Sequence, residues 1–208
     1  MNKFIIIPLI KLGTTIFAHD QVAKEVINKL NTTTKAYENM TIEFVFTLEN
    51  KNQNIKESQP GTLVVAGEKF QLTMNKQTII NNGESQWIYL ADVNEVQIME
   101  HDPEDNMMRP NKLFSISEED YKYKYVGAHS ENGKRLQSID LFPKESQEFM
   151  KINIAIDATK NQLNRITMHD KNGGTYTYLV NSFESNTIIK PFIFDSTEFP
   201  GAEIIDLR

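Results

Sequence analysis

Strand-length apolar alternation, cut at short intervals by turn residues, runs from Thr41 almost to the end of the chain and leaves few architectures open. The clearest stretch is Gly61 to Ile98, GTLVVAGEKFQLTMNKQTIINNGESQWIYLADVNEVQI. Successive side chains of a strand point to opposite faces. One face is expected to collect Leu63, Val65, Phe70, Leu72 and Met74, then Trp87 and Tyr89. Gly67, Asn82-Gly83 and Asp92 supply the turns. No nucleophile–base pair, metal cluster or phosphate loop interrupts the run. Large apolar strand faces without reactive groups point to a protein that holds something greasy.

The rest of the chain follows the same pattern. TIEFVFTL puts Ile42, Phe44, Phe46 and Leu48 on one side. After Tyr121 come YKYKYVGAHS, RLQSIDLFP, FMKINIAID, LNRITMHD and TYTYLVNSFESN, with PFIFD closing the series. Before them, Asp20 can cap a helix to about Tyr37 whose Val22, Ala23, Val26, Ile27 and Leu30 share a face. PNKLFSIS, from Pro110 to Ser117, reads as a short helix with Leu113, Phe114 and Ile116. About ten strands with turns roughly every 8–12 residues predict an antiparallel sandwich or barrel-like sheet.

Candidate chemistry is sparse. The four histidines, His19, His101, His129 and His169, are isolated and share no metal-ligand spacing. Ser85 lacks the second glycine of a nucleophile elbow and does not lead into a helix. The acidic groups Asp102/Glu104/Asp105 and Glu118-Glu119-Asp120 read as solvated loops rather than an acid–base pair across a cleft. Met99, Met107, Met108, Met150 and Met168 suit irregular or adaptable apolar surfaces. A formal charge of -6 argues against nucleic acid as a partner. No cofactor and no metal is expected.

The first segment, MNKFIIIPLIKLGTTIFA, has a positive start at Lys3, an apolar run from Phe4 to Ile10, and small residues up to Ala18. It reads as a secretory leader, residues 1–18, ahead of a single domain over residues 19–208. The chain contains no cysteine, which excludes disulfides, thiolate metal sites and acylation of a cysteine as an anchor.

Several residues together resemble the LolA family of periplasmic outer-membrane lipoprotein carriers. They are Gly61-x-Leu63, Phe70, Asn82-Gly83-x-x-x-Trp87-x-Tyr89 and Val96. At the carboxyl end they are Phe192-Ile193-Phe194 and Phe199-Pro200-Gly201-Ala202-Glu203-Ile204-Ile205-Asp206. The helix followed by TIEFVFTL sits where the family's first helix and strand sit.

The resemblance implies a mainly β (α+β) fold, an unclosed antiparallel barrel or strongly curved sheet with a helical lid over its concave face. It implies a soluble, monomeric, non-enzymatic periplasmic carrier that shuttles lipoproteins from inner to outer membrane. Its partners would be acylated lipoproteins, the inner-membrane lipoprotein-releasing ABC transporter and an outer-membrane acceptor. Phe44, Phe46, Leu63, Val65, Phe70, Leu72, Met74, Trp87 and Tyr89 become the cavity candidates, and Val26, Ile27, Leu30, Leu113, Phe114 and Ile116 the lid candidates. In the best-known members of the family an arginine-proline pair follows the Gly-x-Leu strand, and the arginine latches the lid helices. Here the stretch is Ala66-Gly67-Glu68-Lys69, without arginine. A lid held by apolar contacts is therefore expected. The alternatives are an envelope lipid- or glycolipid-binding sensor and a lipid-modifying hydrolase.

Overall fold

A computed structural model describes residues 14–100, 116–145 and 148–208. The candidates Leu113 and Phe114 lie outside the described residues. Among the described residues one helix, α1 (Thr14–Lys35), precedes twelve strands. These are β1 (Met40–Asn50), β2 (Ile55–Ala66), β3 (Lys69–Met74), β4 (Gln77–Asn81), β5 (Ser85–Leu90), β6 (Glu95–Glu100), β7 (Tyr121–Glu131), β8 (Lys134–Pro143), β9 (Phe149–Asp157), β10 (Gln162–Asp170), β11 (Gly174–Ser185) and β12 (Glu203–Asp206).

All twelve strands form one open, curved sheet in the order β12-β6-β5-β4-β3-β2-β1-β11-β10-β9-β8-β7. Every neighbouring pair is antiparallel except β12, which runs parallel to β6. The first and last strands of the order do not pair with each other, so the barrel does not close. Pro60 lies in the part of β2 that reaches past the end of β3. There it is flanked on one side only, where a missing N–H is tolerated.

Two expectations are corrected. Helix α1 starts at Thr14 rather than at a cap on Asp20. No proline or glycine lies between Thr14 and Lys35, so nothing in the sequence stops the helix at Asp20. Pro191–Asp195 is not a strand. Proline has no N–H to give a ladder, and the Ile193 N–H donates instead to the Pro191 carbonyl at 2.9 Å in a tight turn. The added strand of the carboxyl end is β12. Of the short helix expected from Pro110 to Ser117, only Ile116 and Ser117 lie within the described residues, and these two are not helical.

Helix α1 presents Ala23, Val26, Ile27 and Leu30 to the sheet, a stripe at i, i+3, i+4 and i+7. They join one core with residues of β1–β3 and β8–β10. The sheet face that meets α1 is the inner face.

Candidate functional site

Directly paired residues of adjacent strands share a face, so the ladder fixes which side chains point inward. One inner row crosses β1, β11, β10, β9, β8 and β7 as Phe46, Tyr178, Ile166, Ile154, Ile139 and Tyr125. The next runs Leu48, Tyr176, Met168, Ile152, Leu141 and Tyr123. In the other direction Ile42 leads to Leu63, Leu72, Ile79 and Ile88, and Met40 to Val65, Phe70, Asn81 and Gln86. Of the cavity candidates, Phe44, Phe46, Leu63, Val65, Phe70, Leu72 and Met74 therefore share the inner face with Val26, Ile27, Leu30 and Ile116.

Trp87 and Tyr89 do not. Trp87 is paired with Ile80 and Ile98, and Tyr89 with Thr78 and Val96, on the outer face. The residues of β5 that continue the inner rows are Gln86, Ile88 and Leu90. The C-terminal segment crosses this outer face. The Phe199 ring sits on Tyr89 with centroids 4.4 Å apart and stacks on Phe194 at 5.3 Å. The Tyr89 hydroxyl donates to Asn94 Oδ1 at 3.2 Å, and Asn94 Nδ2 donates to the Gly201 carbonyl at 3.0 Å.

The inner face has two parts. Below α1 lies a buried aliphatic floor of Ile139, Leu141, Ile152, Ile154, Ile156, Leu163, Ile166 and Met168. Toward the β1–β11 border the covering thins to a half-buried aromatic strip. Phe46 lies 5.0 Å from Tyr178 and 6.4 Å from Tyr176, and Phe149 meets Tyr176 edge-on at 5.5 Å. Sequence reading missed Tyr176, Tyr178 and Phe149, although the alternation of TYTYLV carried the signal. Burial pushes the Tyr178 phenol up to about 12, with Tyr176 adding to the shift. Burial also raises Tyr123, helped by the charges of Glu118 and Asp120. These phenols are neutral at physiological pH, so the strip contributes no charge.

Two local devices shape this face. Phe44 lies across Gly61, its directly paired neighbour, and a Cβ at Gly61 would come within 2.7 Å of the ring's Cε2 and closer still to Cζ. The Gly61-x-Leu63 spacing thus gives the Phe44 ring room over the β2 backbone. At the far end, Asp170 accepts the N–H groups of Asn172 and Gly174, both at 2.7 Å, and the Tyr176 hydroxyl at 3.2 Å. These bonds, the Gly174 N–H foremost, hold the carboxyl below the usual range and fix Tyr176 at the rim of the strip.

The described residues also enclose a cavity of about 90 Å³, lined by Lys134, Asp157, Lys160, Gln162, Asn164 and Asn181 together with Leu163, Val180 and Phe183. That is well short of the ~300 Å³ at which ligand pockets begin. The aliphatic floor itself is buried and packed against α1. Among the described residues no group of three or more His, Asp or Glu is placed to hold a metal ion.

The family model for the outer membrane lipoprotein carrier protein LolA matches residues 35–197. The chain belongs to the LolA family. This LolA-family sheet also resembles solved structures of low sequence identity. An uncharacterized conserved protein from Thermus thermophilus superposes with a TM-score of 0.57 at 12% identity, covering 89% of this chain and 99% of its own. LprF from Mycobacterium bovis superposes at 0.51 and 11% identity, covering 82% and 96%. At such identity these likenesses show the fold. No curated protein matches the chain. Among the described residues no helix is long and apolar enough to cross a membrane.

Proposed function

We propose that this LolA-family protein is a periplasmic carrier that takes up the acyl chains of lipoproteins on its inner face, working by binding and not by catalysis. The observation that carries the reading is the continuity of the inner face. An aliphatic floor covered by the amphipathic helix α1 runs without a break into a half-buried aromatic strip. An acyl chain on that floor leaves water at about 0.8 kcal/mol per buried methylene. The floor is already filled by Ala23, Val26, Ile27 and Leu30 of α1, so loading exchanges helix contacts for acyl contacts. Net affinity stays modest and release stays accessible. Family membership supports the same reading, and the ABC transporter and outer-membrane acceptor would be its donor and receiver.

Titration with an N-acylated lipopeptide tests it. The wild type is expected to bind the acylated peptide and to ignore the same peptide without acyl chains. Phe46→Glu places an unpaired carboxylate on the strip, which is costly to bury, and binding should collapse while circular dichroism shows the sheet intact. Binding of a free glycolipid in preference to the lipopeptide would favour the sensor alternative. No binding of any acylated ligand would remove the carrier reading.

A further inference from the structure

The lid α1 is tied to the residues just before β7 through one side chain. Asn31 Nδ2 donates to the Ile116 carbonyl at 2.8 Å, and the Ile116 N–H donates back to Asn31 Oδ1 at 3.4 Å. One amide thus satisfies both main-chain groups of a buried residue that belongs to the core beneath the helix. Two turns earlier, Lys24 Nζ meets Glu118 Oε2 at 2.8 Å, and Lys144 donates to the Glu118 carbonyl. The other end of the helix is anchored differently. The Glu38 N–H donates to Asn186 Oδ1 at 2.8 Å, the Thr187 N–H donates to Asn39 Oδ1 at 3.1 Å, Asn39 Nδ2 donates to the Thr187 carbonyl at 3.0 Å, and the Asn186 N–H donates to the Asn39 carbonyl at 3.0 Å. This knot joins the α1–β1 connection to the end of β11 and does not involve the apolar face of α1. It can stay closed while the helix lifts.

We infer that Asn31 is the latch that holds the lid shut in the empty protein, with residues 36–39 as the pivot. The inference rests on the carrier reading for its purpose but not for its geometry. An exposed pair such as Lys24–Glu118 holds little. Asn31 is partly buried, and opening leaves the Ile116 main chain without either partner. The family arginine is missing from Ala66-Gly67-Glu68-Lys69, and Asn31 reaches a different segment altogether.

Hydrogen exchange of the wild-type chain tests the latch without any ligand. The Ile116 amide should exchange in step with those of Val26, Ile27 and Leu30, because opening frees the Ile116 N–H from Asn31 and takes from α1 the packing that keeps the helix wound in water. In Asn31→Leu, which keeps the size and removes the amide, the amides of Val26, Ile27 and Leu30 should speed up together, roughly three- to tenfold, while Ile116 loses its acceptor outright and is no reporter there. The amides of β9 and β10 should hold. Apparent affinity for an acylated lipopeptide should rise by the same factor, since more of the protein is already open. A merely structural Asn31 would weaken lipopeptide binding in the variant. Exchange of Ile116 much faster than α1 in the wild type, or unchanged exchange of α1 in Asn31→Leu, overturns the inference. A wild type that binds no lipopeptide counts against the carrier reading, and the exchange result still decides the latch.

Discussion

Two segments cover apolar faces of this sheet, and they are attached in opposite ways. Helix α1 covers the inner face with a stripe of aliphatic side chains, and its polar links near that stripe are Asn31 with Ile116 and Lys24 with Glu118. The C-terminal strap, residues 187–202, lays Phe199 on Tyr89 of the outer face of β5 and then becomes part of the sheet. Glu203 to Asp206 pair with Glu95 to Ile98, the Glu203 N–H donates to the Asn94 carbonyl at 2.9 Å, and the Leu207 N–H donates to the Ile98 carbonyl at 2.9 Å. Lifting the strap breaks a ladder of main-chain bonds. Lifting the helix exposes mainly apolar surface, which an acyl chain would cover under the proposed carrier function. The difference teaches which cover is exchangeable: the main-chain bonds of a helix are internal, so lifting it breaks no ladder with the sheet, whereas those of a strand are shared with its neighbour.

The largest expected effects separate the two covers. Phe192→Ala and Leu30→Ala both truncate buried side chains, and each should cost on the order of 2–5 kcal/mol of stability in denaturant unfolding. Only Leu30→Ala should change function. It weakens the closed state, so lipopeptide should bind more tightly, whereas Phe192→Ala should bind as wild type does. If Phe192→Ala shifts lipopeptide affinity as much as Leu30→Ala, the two covers are not distinct.

A smaller effect sharpens the account of the inner face. Gly61→Ala should force Phe44 off its place over β2, at a cost of roughly 1–3 kcal/mol for overpacking. Phe44→Leu in the same chain should recover part of that loss, because a smaller side chain leaves room for the new methyl. Strictly additive costs in thermal unfolding of the double variant would mean that the two residues do not meet.

Much of this was legible in the sequence, and the misses have physical causes. Within one strand, alternation assigns faces correctly, as Phe44 and Phe46 of β1 and Leu63 and Val65 of β2 show. Across a hairpin, parity depends on register, which alternation does not contain. Asn81 pairs with Gln86, so Ile88 follows Ile79 inward and Trp87 goes out with Ile80. The polar inner residues Gln77 and Asn81 made the outer set look like the core. The lid stripe was readable from its helical spacing, but Asn31 was not. Its partner is the main chain of Ile116, a contact 85 residues away that no local pattern announces. Phe192 and Phe194 looked like strand residues because a strap uses the same aromatics.

The central claim is that helix and acyl chain compete for one surface, and hydrogen exchange with and without saturating N-acylated lipopeptide tests it most directly. The account predicts that loading speeds exchange along Val22 to Leu30, because the displaced helix loses the packing that keeps it wound, while the floor strands β9 and β10 stay protected and the β12 pairing with β6 does not change. Lipopeptide that binds while α1 keeps or gains protection would contradict it, because the acyl chains would then lie somewhere other than beneath the helix.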